Sequence, residues 1–470
     1  MPSPACDRCH SIKARCLTGP AGSCYRCYRL KHSCTYSRCR GKRGRKPRVA
    51  ITEGSVTDSS DGLTGSLASP LPSSPNDSTE DSNQQLKEED ECESTHKLEF
   101  SKMIFQAGII SPVSECTSFQ VCTFYSFGPR LSFEMSQMIQ CRMEEAPSLL
   151  LHPYEAFARV LYRCMTNQTP CSNEEWSMGA SALKALRNAQ ITKAEYVGGI
   201  LALGTSLVGF HRLISGVSAS TICRHTLTLI RPLYYADELR DFDMKELLCL
   251  IFLDTTQSLF RARVPVIEYR LRDPYIVNHH AGLCAPLLPL LYRVCIVGAA
   301  VRTGHSDKVS PGDFDCLTNE LTAWSPNVSK DILKRFSDDE MLLLLSQANL
   351  HRTAALLLLH RLQYPFGERD SEAESLSQSM VHELLHCLRG ADQFPPNVTL
   401  ALLLAGAEVH DSERRKHILS LIFKIKGAYF YPFISNLRMF LARVWKARDL
   451  GTARYLFCLF ENDPDLSVPL

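Results

Sequence analysis

Six cysteines near the start of the chain constrain its fold more than any other feature. The half-motif Cys-x2-Cys-x6-Cys occurs there twice, as Cys6, Cys9 and Cys16 and again as Cys24, Cys27 and Cys34. Thiolates are soft ligands that favour tetrahedral zinc. Six thiolates cannot form two separate four-ligand sites, but they can satisfy two tetrahedral ions when two of the sulfurs bridge both. The spacing therefore predicts a small domain in which six cysteines surround two structural Zn²⁺ ions.

The residues around these cysteines resemble the fungal binuclear zinc cluster, the Zn2Cys6 class of transcription factors. The resemblance lies in residues 5–16, ACDRCHSIKARC, and residues 24–34, CYRCYRLKHSC. It implies a DNA-binding domain over residues 1–37, with two short helices around the zinc ions, that binds double-stranded DNA at CGG-type triplets. The alternative is a disulfide-bonded secreted domain. We disfavour it because no apolar signal segment precedes Cys6 and fourteen further cysteines are scattered singly along the chain.

The resemblance also assigns DNA contacts. In the family, the basic residue four positions after the second cysteine reads base edges, and Lys13 holds that position here. A lysine that reaches guanine O6 and N7 makes a common type of specific contact. Arg8 and Arg15 are assigned to phosphates, which position a protein without reading sequence. His10 is also assigned a contact with DNA. Residues 10–12 stand where the family usually has a run of Arg and Lys, so we expect fewer phosphate contacts from the short helix of the first half-motif.

A strongly basic arm, residues 38–50, follows the last cysteine of the repeat. The side chains expected to contact DNA there are Arg40, Lys42, Arg43, Arg45, Lys46 and Arg48. Glycine and proline in this arm disfavour a stable helix. Its charge density suits a nuclear-import signal and an arm along phosphates or in the minor groove; a solvated tail is the alternative. No sustained heptads occur between residues 35 and 100, so a homodimer and its half-site spacing are left open.

Charge and composition change after this arm. The formal net charge of +2 conceals a basic segment in residues 1–50 and an acidic one in residues 51–99. The second segment is rich in Ser, Asp, Glu and Pro, and it cannot bury enough apolar surface to offset the entropy of the chain. We predict a disordered linker over residues 51–99. Its acidic end could contact the transcription machinery, although a plain spacer is the simpler interpretation.

From about residue 100 the spacing of apolar residues becomes helical. Examples are residues 154–163, 176–189, 194–214, 244–261, 287–301, 331–362, 372–388, 400–408, 413–428 and 437–447. They predict an all-α domain of ten or more helices over residues 100–470. Because no unbroken run of eighteen apolar residues occurs, we expect no membrane partner.

Two late stretches of this domain resemble the fungal-specific regulatory domain that follows many zinc clusters. They are residues 354–367, AALLLLHRLQYPFG, and residues 402–415, LLLAGAEVHDSERR. The Trp-Pro pair that is usual in the second stretch is replaced here by aliphatic residues. The resemblance implies a regulatory domain, and it carries over no catalytic residue.

One motif points instead to an enzyme. His382, Glu383 and His386 form H-E-x-x-H, in which two imidazoles on one helix face bind zinc and the glutamate acts as base. Glu408 stands where some zinc peptidases place a third ligand. Residues 380–388, however, read as an ordinary amphipathic helix, and their neighbours resemble the regulatory domain. We therefore predict that the chain is not an enzyme and keep a zinc peptidase as the alternative.

The pair His279 and His280, near Cys284, is too isolated to indicate a metal site, and we expect hydrogen-bonded core or surface histidines there.

Together these patterns predict a nuclear, sequence-specific DNA-binding transcription factor that regulates RNA polymerase II genes. A basic arm in place of a coiled coil is similar to regulators of fungal secondary-metabolite gene clusters, which gives one expectation for the targets. A DNA-binding scaffold without transcriptional output is a further alternative. The sequence leaves open whether the helical domain binds a small-molecule effector.

Overall fold

A computed structural model of the chain describes residues 6, 34, 35, 122, 125–165, 171–191, 193–215, 219–305, 309–425, 431–462 and 468. The chain divides into two units, Met1–Ser78 and Thr79–Leu470. Within the first unit only Cys6, Cys34 and Thr35 are described. The predicted zinc cluster, basic arm and linker therefore lie almost wholly outside the described residues, and the fold is that of the second unit.

The described part of the second unit is all-helical, as the apolar spacing predicted. Its α-helices, numbered in chain order, are α1 Pro129–Glu145, α2 Pro147–Met165, α3 Asn173–Asn188, α4 Val197–Ser215, α5 Ser220–Tyr235, α6 Asp241–Phe260, α7 Leu288–Arg302, α8 Pro311–Ala323, α9 Lys330–Arg335, α10 Asp338–Gln363, α11 Asp370–Gly390, α12 Thr399–Ala407, α13 Ser412–Ile422, α14 Tyr431–Asp449 and α15 Cys458–Asn462. Short 3₁₀ segments, Ala194–Tyr196 and Ala285–Leu287, precede α4 and α7. These residues contain no β-strand, only a single antiparallel bridge between Asn278 and Gly282.

The core is one continuous cluster centred on helices that are buried on every side. All but three of the 20 residues of α6 are buried, and so are all 9 residues of α12. A helix that is apolar around its whole circumference belongs in an interior. Accordingly, α6 packs against α4, α5, α7 and α10, whereas α10 packs against α11 and α12. The helices α1 and α2 close one side of this core by packing on α4.

The sequence pattern predicted one helix over residues 331–362, and this prediction was wrong. The structure has two helices there, α9 and α10, separated at Ser337. The Ser337 hydroxyl accepts a hydrogen bond from the Glu340 N–H, and the Glu340 carboxylate accepts one from the Ser337 N–H. Such a capping box starts a new helix because the cap residue takes an extended backbone. The Ser-x-x-Glu signal was present within an apolar pattern that runs across the break.

Other differences are at helix ends and at prolines. The segment predicted over 413–428 overruns α13, which ends at Ile422. The helices α1, α5, α8 and α15 lie outside the segments named above, and the first three of them contain proline. Pro129 and Pro311 occupy the first helical position, where the missing N–H is not needed. Pro232 lies in the last turn of α5.

Three helical stretches, Ala194–Ser215, Ala285–Arg302 and Asp338–Gln363, are long and apolar enough to cross a membrane by length and composition alone. Within the fold, 67%, 44% and 72% of their most apolar windows are buried. Most of the window is therefore buried in the first and third stretches, and less than half of it in the second; the absence of a membrane partner stays a prediction.

Candidate functional site in a pocket of the helical domain

The residues that the sequence assigns to zinc and DNA fall almost entirely outside the described residues. Of the six cysteines, only Cys6, which is buried, and Cys34, which is half-buried, are described. All of the proposed DNA contacts, from Arg8 to Arg48, lie outside. The zinc cluster and its contacts with DNA therefore stay predictions.

The H-E-x-x-H motif is described in full, on α11. His382 and His386 are exposed, whereas Leu384 is buried, as in an ordinary amphipathic helix. The Glu383 carboxylate accepts a hydrogen bond from the Ser346 hydroxyl of α10. Among the described residues, which include this whole motif and Glu408, no three His, Cys, Asp or Glu side chains are grouped to hold a metal ion.

Glu408, the candidate third zinc ligand, belongs to a buried ion-pair cluster. Its carboxylate accepts hydrogen bonds from Arg361 Nε at 3.0 Å and Nη2 at 2.6 Å, and from Arg448 Nη1 at 3.1 Å. Arg361 also donates to Asp370 at 2.6 Å. Buried charges need such partners. Glu408 thus links α10 to α14 and is not placed with the two histidines of α11.

A pocket lies between α1, α2, α4 and α6. It contains about 860 Å³ of empty space, a volume that includes space open to solvent. Methionines contribute much of its apolar lining, and methionine adapts readily to irregular shapes. The apolar residues include Met135, Met138, Ile139, Met143, Leu150 and Phe157.

A buried ion cluster forms one wall of this pocket. Arg142 donates to Glu246 Oε2 at 2.9 Å, to Asp243 Oδ1 at 2.6 Å and to Glu145 Oε2 at 2.6 Å. Arg240 pairs with Glu145 and Asp243 from the solvent side. Burial raises the pKa of the Glu246 carboxyl to about 7, against the lowering effect of Arg142. These charges satisfy one another, so the cluster shapes the pocket without leaving a free cation there.

A tight loop before α7 brings two histidines, His279 and His280, to the pocket. The Asn278 carboxamide oxygen accepts hydrogen bonds from the N–H groups of His280 at 2.9 Å and Ala281 at 3.0 Å. Its amide group donates to the carbonyl of Lys245 on α6 at 2.8 Å. The loop is therefore held by side-chain hydrogen bonds that do not depend on a ligand.

Glycine is required where this loop turns back. Gly282 has a φ of 54°, in the left-handed region that favours glycine. A Cβ atom there would also collide with the Gln347 side chain. That side chain donates to the carbonyls of His280 at 3.1 Å and Pro396 at 3.0 Å. Gln347 therefore fixes His280 from the side of α10.

His280 was expected to be a hydrogen-bonded histidine, and only part of this expectation is confirmed. The residue is 8% exposed and its backbone is bonded, yet its Nε2 atom has no hydrogen-bond partner among the described residues. Burial, together with nearby His279, Arg212 and His351, holds the pKa of His280 well below its usual range. Because buried polar atoms are nearly always satisfied in native proteins, this neutral nitrogen indicates a position for a missing partner.

Arg212 on α4 lines the same pocket, and the sequence patterns did not single it out. Its half-buried side chain forms no hydrogen bond or ion pair with any other described residue. Burial lowers the pKa of Arg212, whereas a carboxylate partner would raise it. Arg212 and His280 both line this pocket. A sequence signal existed, because α4 is largely apolar and contains no acidic residue.

The sequence profile of the fungal specific transcription factor domain matches residues 203–467, which is more than half of the chain. The chain therefore belongs to this family, and its role is in the regulation of transcription. Family membership favours a regulator over an enzyme. The comparison with curated proteins gave no match, and the comparison with solved structures gave none.

Residues 203–467, which match the family profile, include only part of the pocket lining. They contain Arg212 and His280, whereas α1 and α2, which supply most of the apolar wall, precede residue 203.

Proposed function

We propose that the chain is a nuclear, sequence-specific DNA-binding transcription factor of the zinc cluster type, whose helical domain is the regulatory part. The observation that carries this proposal is the repeated Cys-x2-Cys-x6-Cys motif in a chain that also contains the fungal specific transcription factor domain. The two features occupy separate parts of the chain, residues 1–37 and 203–467. A DNA reader joined by a linker to a regulatory domain accounts for both.

The six cysteines of the repeat, Cys6 to Cys34, would hold two zinc ions. A donor set of thiolates alone suits Zn²⁺ in a closed, structural site. Such ions stabilise a small domain that lacks a core of its own, because the binding free energy of the metal becomes folding free energy. The basic side chains between the cysteines would offset the net negative charge of the cluster.

DNA recognition would combine one specific contact with many nonspecific ones. Lys13 would read a guanine in a CGG-type triplet, since it is the basic residue at the position that reads bases in zinc clusters. Arg8, Arg15 and the basic arm over residues 38–50 would contact phosphates. The genes regulated would be those of RNA polymerase II, with fungal secondary-metabolite clusters as the first candidates.

Metal content tests the proposal first. The purified full chain should contain about two zinc ions, and Cys24→Ala should lose them together with specific DNA binding. His382→Ala is the matched control and should leave both unchanged. One zinc ion that survives Cys24→Ala but is lost in His382→Ala would support the peptidase and contradict the zinc cluster.

DNA binding tests the residue assignments. Lys13→Ala should weaken binding to a CGG-containing duplex by about 1–3 kcal/mol and relax the preference for the triplet. Replacing Arg43 and Arg45 by alanine should weaken binding to all sequences and reduce its salt dependence. Equal loss on all duplexes for Lys13→Ala would contradict its role in base reading. Genomic binding without any change in transcription after deletion of the gene would favour the scaffold.

A further inference from the structure

We propose that the pocket between α1, α2, α4 and α6 binds a small monocarboxylic acid with an apolar body, and that the carboxylate of this ligand lies against Arg212 and His280. The inference concerns the helical domain alone. It goes beyond the proposed DNA-binding function and does not require it.

The charge balance of the pocket leads to an anion. Arg142 and Arg212 both line the pocket, but their surroundings differ. Arg142 is surrounded by three carboxylates at 2.6–2.9 Å. Arg212 has no carboxylate partner among the described residues. A cation that loses water without gaining a counter-ion destabilises the folded state. A bound carboxylate would supply that counter-ion.

The hydrogen-bonding groups near Arg212 complete the polar end of the site. The buried Nε2 atom of His280 has no partner among the described residues. When the proton of the neutral imidazole is on Nε2, this atom donates one hydrogen bond. Ser206 lies six residues before Arg212 on α4 and also lines the pocket, with no hydrogen bond from its hydroxyl to the described residues. These groups supply donors for both oxygens of a carboxylate.

One formal positive charge favours a monoanion. The planar guanidinium group of Arg212 matches the two oxygens of a carboxylate. A phosphate dianion would leave one negative charge unbalanced, beside a wall that already carries the carboxylates of Glu145, Asp243 and Glu246. An amine is disfavoured because the carboxylate of Glu246, the acidic residue in the lining, already accepts from Arg142.

The remaining surface of the pocket determines the rest of the ligand. The side chains of α1 and α2 that face it are methionine, isoleucine, leucine and phenylalanine. Burying a methylene group on such a surface contributes about 0.8 kcal/mol. The ligand should therefore carry an aliphatic or aromatic body next to its carboxylate, and the flexible methionines should allow bodies of different shape.

Binding of three probes with the same alkyl chain tests the assignment. Octanoate, octanamide and octylamine would be titrated into the full-length protein without DNA, by isothermal titration calorimetry. We expect octanoate to bind at least about tenfold more tightly than either the neutral or the cationic probe, because only octanoate brings a negative charge to Arg212. Equal or tighter binding of octanamide, or no binding of octanoate, would overturn the proposal.

Variants then test the residues. Arg212→Met should weaken octanoate binding about 30-fold, equivalent to about 2 kcal/mol, and change octanamide binding little. Arg187→Met, on the exposed face of α3, removes a cation away from the pocket and should leave the preference intact. Arg212→Met protein that still prefers octanoate would contradict the assignment.

The test remains decisive in two difficult cases. If Arg212→Met does not fold, the comparison of the three probes on the unmodified protein decides the question by itself. A failure of the DNA-binding proposal would appear as loss of zinc or DNA binding and would leave these titrations unchanged.

Discussion

Replacing Arg142 with methionine tests the buried ion cluster of the pocket wall. Arg142 is 1% exposed and forms hydrogen bonds with Glu145, Asp243 and Glu246. Methionine fills a similar volume but leaves Glu246 without a cation, whereas Asp243 keeps its bonds to Arg240. Removing one partner of a buried ion pair typically costs about 3–5 kcal/mol, and we expect a loss of this size in the free energy of unfolding above neutral pH.

The pH dependence of this loss follows from Glu246. Burial raises its pKa in the folded protein to about 7, above the ordinary value of 4.5. The folded state therefore binds more protons than the unfolded state between these values, and the free energy of unfolding falls as pH rises through this window. Without Arg142, the pKa of Glu246 rises further. The penalty of Arg142→Met should thus be largest above pH ~7 and smaller near pH ~5, where the carboxyl group is neutral.

Urea unfolding followed by far-UV circular dichroism, at about pH 5 and about pH 8, measures both effects. The control is Arg414→Met, which removes the same side chain from an exposed pair with Glu374 and should cost less than about 1 kcal/mol at either pH. A penalty for Arg142→Met that matches the control, or that does not grow between the two pH values, would refute this reasoning.

Three further outcomes follow from individual contacts. Ser337→Ala removes the capping hydroxyl of α10 and should lower the free energy of unfolding by about 1 kcal/mol, as measured by urea unfolding; no change would show that α10 does not depend on its cap. Gly282→Ala forces a Cβ against Gln347 at a φ of 54° and should lower the free energy of unfolding by about 2–3 kcal/mol. The control is Gly304→Ala, also at positive φ but with open space around it, which should cost only about 1 kcal/mol. Equal losses of stability in the two variants would exclude the collision as the cause. Glu383→Gln should leave zinc content and DNA binding unchanged and should shift the free energy of unfolding by less than about 1 kcal/mol. The reason is that the half-buried Glu383 carboxylate accepts a single hydrogen bond, from the Ser346 hydroxyl. Loss of a peptidase activity in this variant would reverse the interpretation of the motif.

The helical class of the part of the second unit that the structure describes could be predicted because it depends on local spacing. Apolar residues spaced three and four positions apart lie on one face when the segment is a helix, whatever that face packs against. The break at Ser337 was missed for the same reason. Leucines continue on both sides of it, and a pattern of apolar residues does not distinguish a helix from two helices joined by a cap. The capping box itself is local, so Ser337 and Glu340 carry a signal for the break in the sequence.

The pocket could not be predicted in the same way. Its apolar wall comes from α1 and α2, its cation from α4 and its histidine from the loop before α7. None of these segments is unusual alone, and a pair such as His279 and His280 looks like many core histidines. The pocket exists only where α1, α2, α4 and α6 meet in the fold, and His280 Nε2 lies beside it without a partner among the described residues.

The sequence by itself determined the features that depend on residues close together in the chain. They are the thiolate spacing between Cys6 and Cys34, the basic arm that follows it and the helical character of the large domain. Tertiary structure alone decided which charges have partners. Arg142 and Arg212 each lie on an ordinary helix, yet the first meets Asp243 and Glu246 from about a hundred residues away and the second meets no carboxylate among the described residues. The physical reason is that the partner of a buried charge is whatever side chain the fold packs against it, and that side chain need not be near it in the sequence.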